Sequence, residues 1–499
     1  MGVVKHQSIK SSILIYLGFA IGGINTVLLF PHFFTGNEFG LTRIFFDLGL
    51  ILVPFCTFST GNMMNRFYPY YSTHLPEKKN DLLTWVVLIS FFGFLLFVLG
   101  TFLFKGLIVR KYATNSPLFI DYFYLLYPGV FGLVMYTVFE SYSWSRHETV
   151  LSNSLKELGV RVFTTFLIVL YIFKLISFPV FMWFFSLSYF IALLVLLACL
   201  RRKNLLHLTF RISAVTRRLY KRMGVYSGTV MSATLFFVVA QNIDSLIISS
   251  FKGLNQAAYL SIATYMATLI QVPQRSIASI ATPVMAQAWK DKNLDKIDEI
   301  YKKSAILQLV AALFIFLFIW LNIDDIYKMM PPEYAAAKYV VFYLGVARVI
   351  DMGTGANQQL LSTSKLWYFE LISSTLLVAM SIPLNYFLIK EHGITGSGYA
   401  LLISMFTFNT IRYIFIWHRF GLQPFSLNTL KALGIGAVTY LACYYMLPDL
   451  GNLYINIFIS GVCFTLLFIT GILLLRVSDD INSTFFSIIH KITKRTLHK

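Results

Sequence analysis

Arginine and carboxylate side chains recur inside the apolar stretches of this sequence: Arg43 and Asp47, Glu140, Arg161, Asp244, Arg275, Arg348 and Asp351, Glu370 and Arg412. A charge in such surroundings is costly, and it ordinarily faces a partner or a water-filled path. Arg43 and Asp47 are spaced i,i+4, and Arg348 and Asp351 i,i+3, so on a helix each pair can meet on one face. Arg275 differs. Its neighbours on the same helical face, Gln271 and Ser279, are polar and uncharged. An arginine there takes an anion from elsewhere, either Asp244 or an anionic molecule passing through. The carboxylates Asp47, Asp244, Asp351 and Glu140 are candidates for structural pairing or for binding a coupling ion. Arg66, Arg161, Glu370 and Arg412 lie near the ends of apolar stretches and are expected to snorkel to the interface.

The sequence carries no signature of catalysis. It has no Walker loop, no His-Glu-x-x-His, no Gly-x-Ser-x-Gly and no dinucleotide fingerprint. His147-Glu148 lacks a second histidine at the zinc-site spacing, and Gly434-x-Gly436 reads as helix packing. Cys56, Cys199, Cys443 and Cys463 stand singly in apolar runs and read as small core residues rather than metal ligands or a disulfide. No metal and no cofactor are expected. A membrane sugar ligase or polymerase would need a sizeable loop for its second substrate, and the longest such connections, around 105–117 and 322–333, are only about a dozen residues.

The elements that must position these charges follow from composition. The chain has 499 residues, 57% of them hydrophobic and 13% charged. Soluble domains carry about 25% charged residues, so the solvent of this surface is lipid. A spanning helix needs about 20 apolar residues, and about fourteen such stretches occur: 9–30, 41–64, 82–104, 118–139, 158–174, 177–200, 224–250, 257–286, 302–321, 334–361, 367–389, 396–417, 429–447 and 452–475. The first has no small-residue cleavage site and leads straight into the second, so it reads as a span and not as a signal peptide. Lys and Arg fall unevenly on the connections. With the N-terminus cytoplasmic, about 27 lie on the cytoplasmic side and about 7 opposite. Both termini are therefore expected in the cytoplasm. The fold class is an all-α membrane protein: two six-helix lobes in parallel repeat and two extra C-terminal helices.

The stretch RRKNLLHLTFRISAVTRRLYKR, Arg201 to Arg222, divides the chain and holds about eight Lys and Arg in about 22 positions. Leu205, Leu208, Ile212, Val215 and Leu219 recur at helical spacing, which predicts a helix lying on an anionic membrane surface. A solvated charged connector is the plainer alternative. A nucleic-acid patch is excluded by the apolar character of the chain, and no nucleic-acid partner is expected. The resulting organisation is 1–200 (first lobe), 201–223 (cytoplasmic basic amphipathic linker), 224–420 (second lobe), 421–475 (two further spans) and 476–499 (basic tail).

The halves on either side of this linker resemble each other. A shift of about 219 residues lays Ile24-Asn25-Thr26 on Ile243-Asp244-Ser245, Pro54 on Pro273 and Arg146 on Lys365. Pro54, Pro273, Pro283 and Pro383 lie within spans and are expected to kink them. Gly353 and Gly355 are followed by the polar run Asn357-Gln358-Gln359. Kinks and polar faces in matching places of two repeats are features of a transporter cavity.

Three stretches carry a resemblance to a known family. They are Gly18 to Tyr70, with Phe39-Gly40 and Asn65-Arg66-Phe67-Tyr68-Pro69; Ile243-Asp244-Ser245 through Pro273-Gln274-Arg275-Ser276 to Pro283; and NYFLIKEHGITGSGYALLIS, Asn385 to Ser404. Over nearly its whole length the chain resembles the polysaccharide transport family, the oligosaccharide-lipid flippases of the superfamily that also holds multidrug antiporters and the lipid II flippase. The first two stretches look like the versions found in Bacteroidetes-type bacteria. The resemblance implies a central cavity lined by spans 1, 2, 7 and 8 and rocker-type alternating access. The implied substrate is an undecaprenyl-pyrophosphate-linked sugar repeat unit, moved from the cytoplasmic to the periplasmic leaflet of a bacterial inner membrane. Arg43, Arg275 and Arg348 would meet the anionic headgroup. Asn25 stands on span one, where the lipid II flippase carries an arginine. H⁺ or Na⁺ would couple transport through Asp47, Asp244, Asp351 or Glu140. Partners implied are membrane lipids and polysaccharide-assembly proteins. A multidrug cation antiporter of the same fold is the alternative, with an anionic cavity dominated by Asp47, Asp244 and Asp351.

Overall fold

In lipid every backbone N–H and C=O must be satisfied within the protein, so apolar runs of this length fold as helices. The structure, a computed structural model, describes Leu14, residues 16–146 and 148–483, without the side chains of Ser276, Ser279 and Pro283. Lys5, Lys10, His147 and the basic tail beyond 483 lie outside the described residues. Over the described residues all fourteen expected stretches are largely helical, and the described chain contains no strand. The helices are α1 (Tyr16–Phe33), α2 (Gly36–Thr57), α3 (Thr60–His74), α4 (Leu82–Leu103), α5 (Leu126–Ser145), α6 (Val160–Ile172), α7 (Phe178–Arg202), α8 (Ala214–Lys252), α9 (Leu254–Lys290), α10 (Leu294–Leu321), α11 (Lys338–Gly353), α12 (Asn357–Thr363), α13 (Tyr368–His392), α14 (Ile394–Phe420), α15 (Leu427–Met446) and α16 (Leu453–Leu474). Among the described residues ten segments are long and apolar enough to cross a membrane. The stretches 158–174, 257–286, 334–361 and 429–447 are helical but fall short in length or apolarity. The chain is a multi-pass membrane protein.

Two expected spans are broken. Span two divides into α2 and α3 at Phe58 and Ser59, whose φ angles of 49° and 51° are left-handed. That conformation is strained for a bulky residue. The carbonyl freed at Phe58 accepts the Ser227 hydroxyl of α8, which holds the break in place. Span ten divides into α11 and α12 at Gly355 (φ 67°), where an added Cβ would lie 2.9 Å from the Ala305 backbone of α10. Glycine is the residue that satisfies both conditions.

Two compact units make up the chain, Met1–Ser261 and Ile262–Lys499. In the first, α2 packs against α4, α5 and α8, and α7 packs against α5 and α6. Thr35 and Glu38 form a reciprocal capping box that starts α2. The helix α8, expected as the seventh span, is pinned to this unit at both ends. At its C-terminal end the carbonyls of Leu246, Ser249 and Ser250 accept hydrogen bonds from Tyr112, Ser116 and Asn115. At its N-terminal end Thr216 donates to Asp81 at 2.8 Å.

The second unit is built around α14, which packs on α11 and α13, while α10 packs on α11. The last two helices, α15 and α16, form a hairpin laid on α10 through Leu309, Val310, Leu313, Ile435, Phe464 and Phe468.

The basic stretch departs from the helix that its spacing predicts. Lys203 to Ser213 is not helical, and α8 begins at Ala214, so Val215 and Leu219 are helical whereas Leu205, Leu208 and Ile212 are not. The cause is local competition for backbone donors. The Thr209 N–H goes to the Thr84 hydroxyl at 3.0 Å, and the Ser213 N–H goes to Asp81 at 2.9 Å. Ser213 then caps α8 through the Thr216 N–H.

Candidate functional site

The intramembrane charges form separate clusters, each within one unit. In the first unit Asp47 on α2 is fully buried. Its Oδ2 accepts Arg43 Nε at 2.8 Å and also the hydroxyl of Ser245 on α8. Its Oδ1 is buried with no partner among the described residues. The expected Arg43–Asp47 pairing is therefore present, and α8 closes over it. A second cluster joins Glu140 on α5 to Lys156 at 2.9 Å, next to the pair Glu157–Arg161 at 3.1 Å. Lys156 and Glu157 sit in a π-helical turn, Ser154–Gly159, that leads into α6. A π-turn re-aims side chains within a continuous helix. Arg161 does not snorkel: its guanidinium also lies 4.5 Å from the Phe19 ring centroid. Asn25, within the π-helical Ile24–Leu29 of α1, has both ends of its amide engaged. It donates to the Arg161 carbonyl at 3.2 Å and accepts Thr165 at 2.8 Å. It ties α1 to α6 and is buried there. Asp244 is half-buried and accepts the Ser245 N–H at 2.9 Å.

In the second unit a chain of polar groups runs through the helices. Asp351 accepts Gln271 of α9 at 3.2 Å and Asn409 of α14 at 3.1 Å. Asn409 Oδ1 accepts Thr354 at 2.9 Å and Asn357 at 3.1 Å. Asn357 Oδ1 in turn accepts Arg412 at 3.4 Å. Arg412 is only 3% exposed; it pairs with Glu370 at 2.8 Å and covers Phe408. The expectation that Glu370 and Arg412 snorkel is thus corrected. Nearness to a span end was judged along one helix, whereas α13 and α14 bury both groups against each other. Arg348 is buried, and among the described residues no ion pair joins it to Asp351. Asp351 is held by amides instead. Sequence reasoning missed Asn409, Ser245 and Lys156 as partners; each is a polar residue whose role depends on a neighbouring helix.

Removing one member of a buried ion pair leaves the other uncompensated, at about 3–5 kcal/mol. Arg412→Met is therefore expected to lower the thermal midpoint in detergent sharply, and Arg412→Met with Glu370→Gln to recover most of the loss. Equal midpoints for the single and double variants would remove the pair from the account of stability.

Arg275 is exposed and lies just past the middle of α9, 15 residues from the helix end at Lys290. At about 1.5 Å per residue that is about 22 Å from the helix end. Among the described residues no three His, Cys, Asp or Glu side chains converge as metal ligands.

Comparison with known proteins extends these observations. Residues 230–387 match the MatE family model. No curated protein matches the sequence. Among solved structures, the chain is similar to the lipid II flippase MurJ in an inward closed conformation, with a TM-score of 0.69 at 14% identity over 94% of this chain and 98% of that one. It is also similar to an inward-facing multidrug resistance MATE family transporter, with a TM-score of 0.63 at 15% identity over 82% of this chain and 94% of that one. A third is a transporter from Pyrococcus furiosus described as having a binding pocket of reverse polarity, with a TM-score of 0.55 at 15% identity over 83% of this chain and 95% of that one.

Proposed function

We propose that this chain, a member of the MOP exporter superfamily by its MatE stretch and its fold, is a flippase for undecaprenyl-pyrophosphate-linked oligosaccharide repeat units. It moves them from the cytoplasmic to the periplasmic leaflet of a bacterial inner membrane by alternating access. The observation that carries this reading is Arg275, an exposed arginine near the middle of the 37-residue helix α9. Arginine recognises phosphate oxygens with a bidentate fork, and an exposed guanidinium within a membrane is tolerable where it lines a hydrated path. Coverage supports the same reading. The likeness to the lipid II flippase extends over 94% of the chain and that to the MATE transporter over 82%. The sugar portion of the substrate is polar and travels the same path, while the lipid tail stays in the bilayer.

The test is reconstitution. Proteoliposomes holding the purified chain should move a pyrophosphate-linked oligosaccharide lipid across the bilayer and should not extrude a cationic dye. The reverse result selects the multidrug cation antiporter. That alternative needs an anionic site, and Asp47, its most buried carboxylate, is already paired with Arg43.

Coupling falls to Asp351, the half-buried carboxylate held by the amides of Gln271 and Asn409 and, among the described residues, in no ion pair. A carboxylate so placed can take up H⁺ or Na⁺ without first breaking a salt bridge. Asp351→Asn is expected to leave substrate binding intact and to remove the dependence of transport on an imposed H⁺ or Na⁺ gradient. Retention of full gradient dependence in that variant would assign coupling elsewhere.

A further inference from the structure

The loop Lys203–Ser213 is fixed on one side and open on the other. Its fixed side centres on Asp81, a fully buried carboxylate just before α4. Asp81 Oδ2 accepts the Ser213 N–H at 2.9 Å, the Thr216 hydroxyl at 2.8 Å and the Trp85 indole N–H at 3.1 Å. Tyr71 lies 2.7 Å from the same Thr216 hydroxyl. Further along, Thr84 takes the Thr209 N–H, and the Tyr142 hydroxyl donates to the Leu205 carbonyl at 2.6 Å. The loop is thus bound at its start, middle and end to helices of its own unit.

The open side is apolar and basic together. Leu208, Phe210 and Ile212 are 53%, 74% and 49% exposed. Thr209, between the first two, is the residue whose N–H is held. Arg201, Arg202, Arg211, Arg217, Arg218, Lys221 and Arg222 are exposed around them, and no acidic residue occurs from Arg201 to Arg222. Connectivity adds the location. The loop joins the end of α7 to the start of α8, both of which are apolar enough to span, so it sits where two spans leave the bilayer. Exposed Leu, Phe and Ile in water are a liability, whereas at a bilayer surface they bury area among acyl chains. Apart from Glu148, paired with Lys203, and Glu77, beside His207, the rim is basic, and such a rim matches anionic headgroups.

We propose that this loop is a membrane wedge: Leu208, Phe210 and Ile212 insert into an anionic leaflet, and the surrounding arginines hold its phosphate headgroups. The lipid-facing element is therefore a braced loop and not an amphipathic helix. Asp81 is the positioning residue, since it ties the wedge to α4 and to the first turn of α8. Lipid composition would then act directly on the part of the chain that sets where α8 begins.

The experiment uses the full chain in nanodiscs, with the four native cysteines replaced by alanine and a nitroxide at Phe210→Cys. One set of discs is phosphatidylcholine alone, and the other includes phosphatidylglycerol. The expected result is a shift of the label from water-accessible to oxygen-accessible when phosphatidylglycerol is present, and loss of that shift in Arg211→Gln/Arg217→Gln/Arg218→Gln. A nitroxide at Thr209→Cys should stay immobile in both discs and become mobile in Asp81→Asn. A label at position 210 that is equally water-accessible in both discs would overturn the proposal and leave a solvated connector. Equal insertion in both would overturn the role of the arginines. The surface variants leave Asp81 and its contacts intact, so a folding failure of Asp81→Asn does not remove the test.

Discussion

Arg275→Ala is expected to reduce transport of a pyrophosphate-linked glycolipid by about tenfold or more at matched expression. Removing a hydrogen bond to a charged group costs about 1.5–3 kcal/mol, and about 1.4 kcal/mol is a factor of ten. The position is exposed on a long helix, so the variant should fold. Arg275→Lys keeps the charge and loses the planar fork, and should fall between wild type and alanine. The rate is to be read from protease- or lectin-protection of the sugar in proteoliposomes. A wild-type rate in Arg275→Ala would end the assignment of this residue to an anion path. A loss in which lysine performs as badly as alanine would point to packing instead of charge.

Gly93→Ala should be strongly damaging to the first unit. The added Cβ would lie 2.0 Å from the Cys56 carbonyl oxygen, a backbone atom that cannot rotate away. The crossing of α4 over α2 would have to open, and overpacking of this kind costs about 1–3 kcal/mol or more. Close backbone approach through small residues is a main source of helix association in lipid. The control lies on the same helix: an added Cβ at Gly100 meets nothing within 4 Å. Gly100→Ala should be neutral or slightly stabilising, because alanine is the better helix former. Thermal unfolding in one detergent separates the two, and equal midpoints would show that α4 can move off α2 without loss.

Composition and run length made the helices legible, because lipid leaves the backbone no alternative to internal hydrogen bonding. Over the described residues the fourteen apolar stretches fold largely as helices for that reason. The breaks were less legible. Pro54 marks where span two is weak, yet the chain turns at Phe58 and Ser59, where Ser227 of a distant helix supplies the missing donor. The intramembrane charges were legible as a set and only partly as pairs. Arg43–Asp47 follows from spacing within one helix. Arg412–Glu370 and Lys156–Glu140 join residues of different elements, so helical spacing carries no sign of them. Asn25 was a candidate through its place on span one in the family resemblance, and it is consumed by Thr165 and Arg161 on α6. The basic loop misled for a similar reason. Its helical spacing is real, but Asp81 and Thr84 take the amides that a helix would need.

The Asp47 contacts also bear on how the chain is made. Asp47 and Ser245 are separated by 198 residues, so during synthesis α2 leaves the ribosome long before its partner on α8 exists. Through that interval a lone carboxylate would weigh against insertion, at about 2.5–3.5 kcal/mol for an aspartate at the centre of a span. Arg43, one helical turn away, is the counter-ion that arrives with it. The pair lets the apolar body of α2 beyond its Glu38 cap enter the bilayer without net charge, and Ser245 then takes its place beside a charge already balanced. Arg43 is in this sense an escort for the nascent helix, a service rendered before the protein is complete.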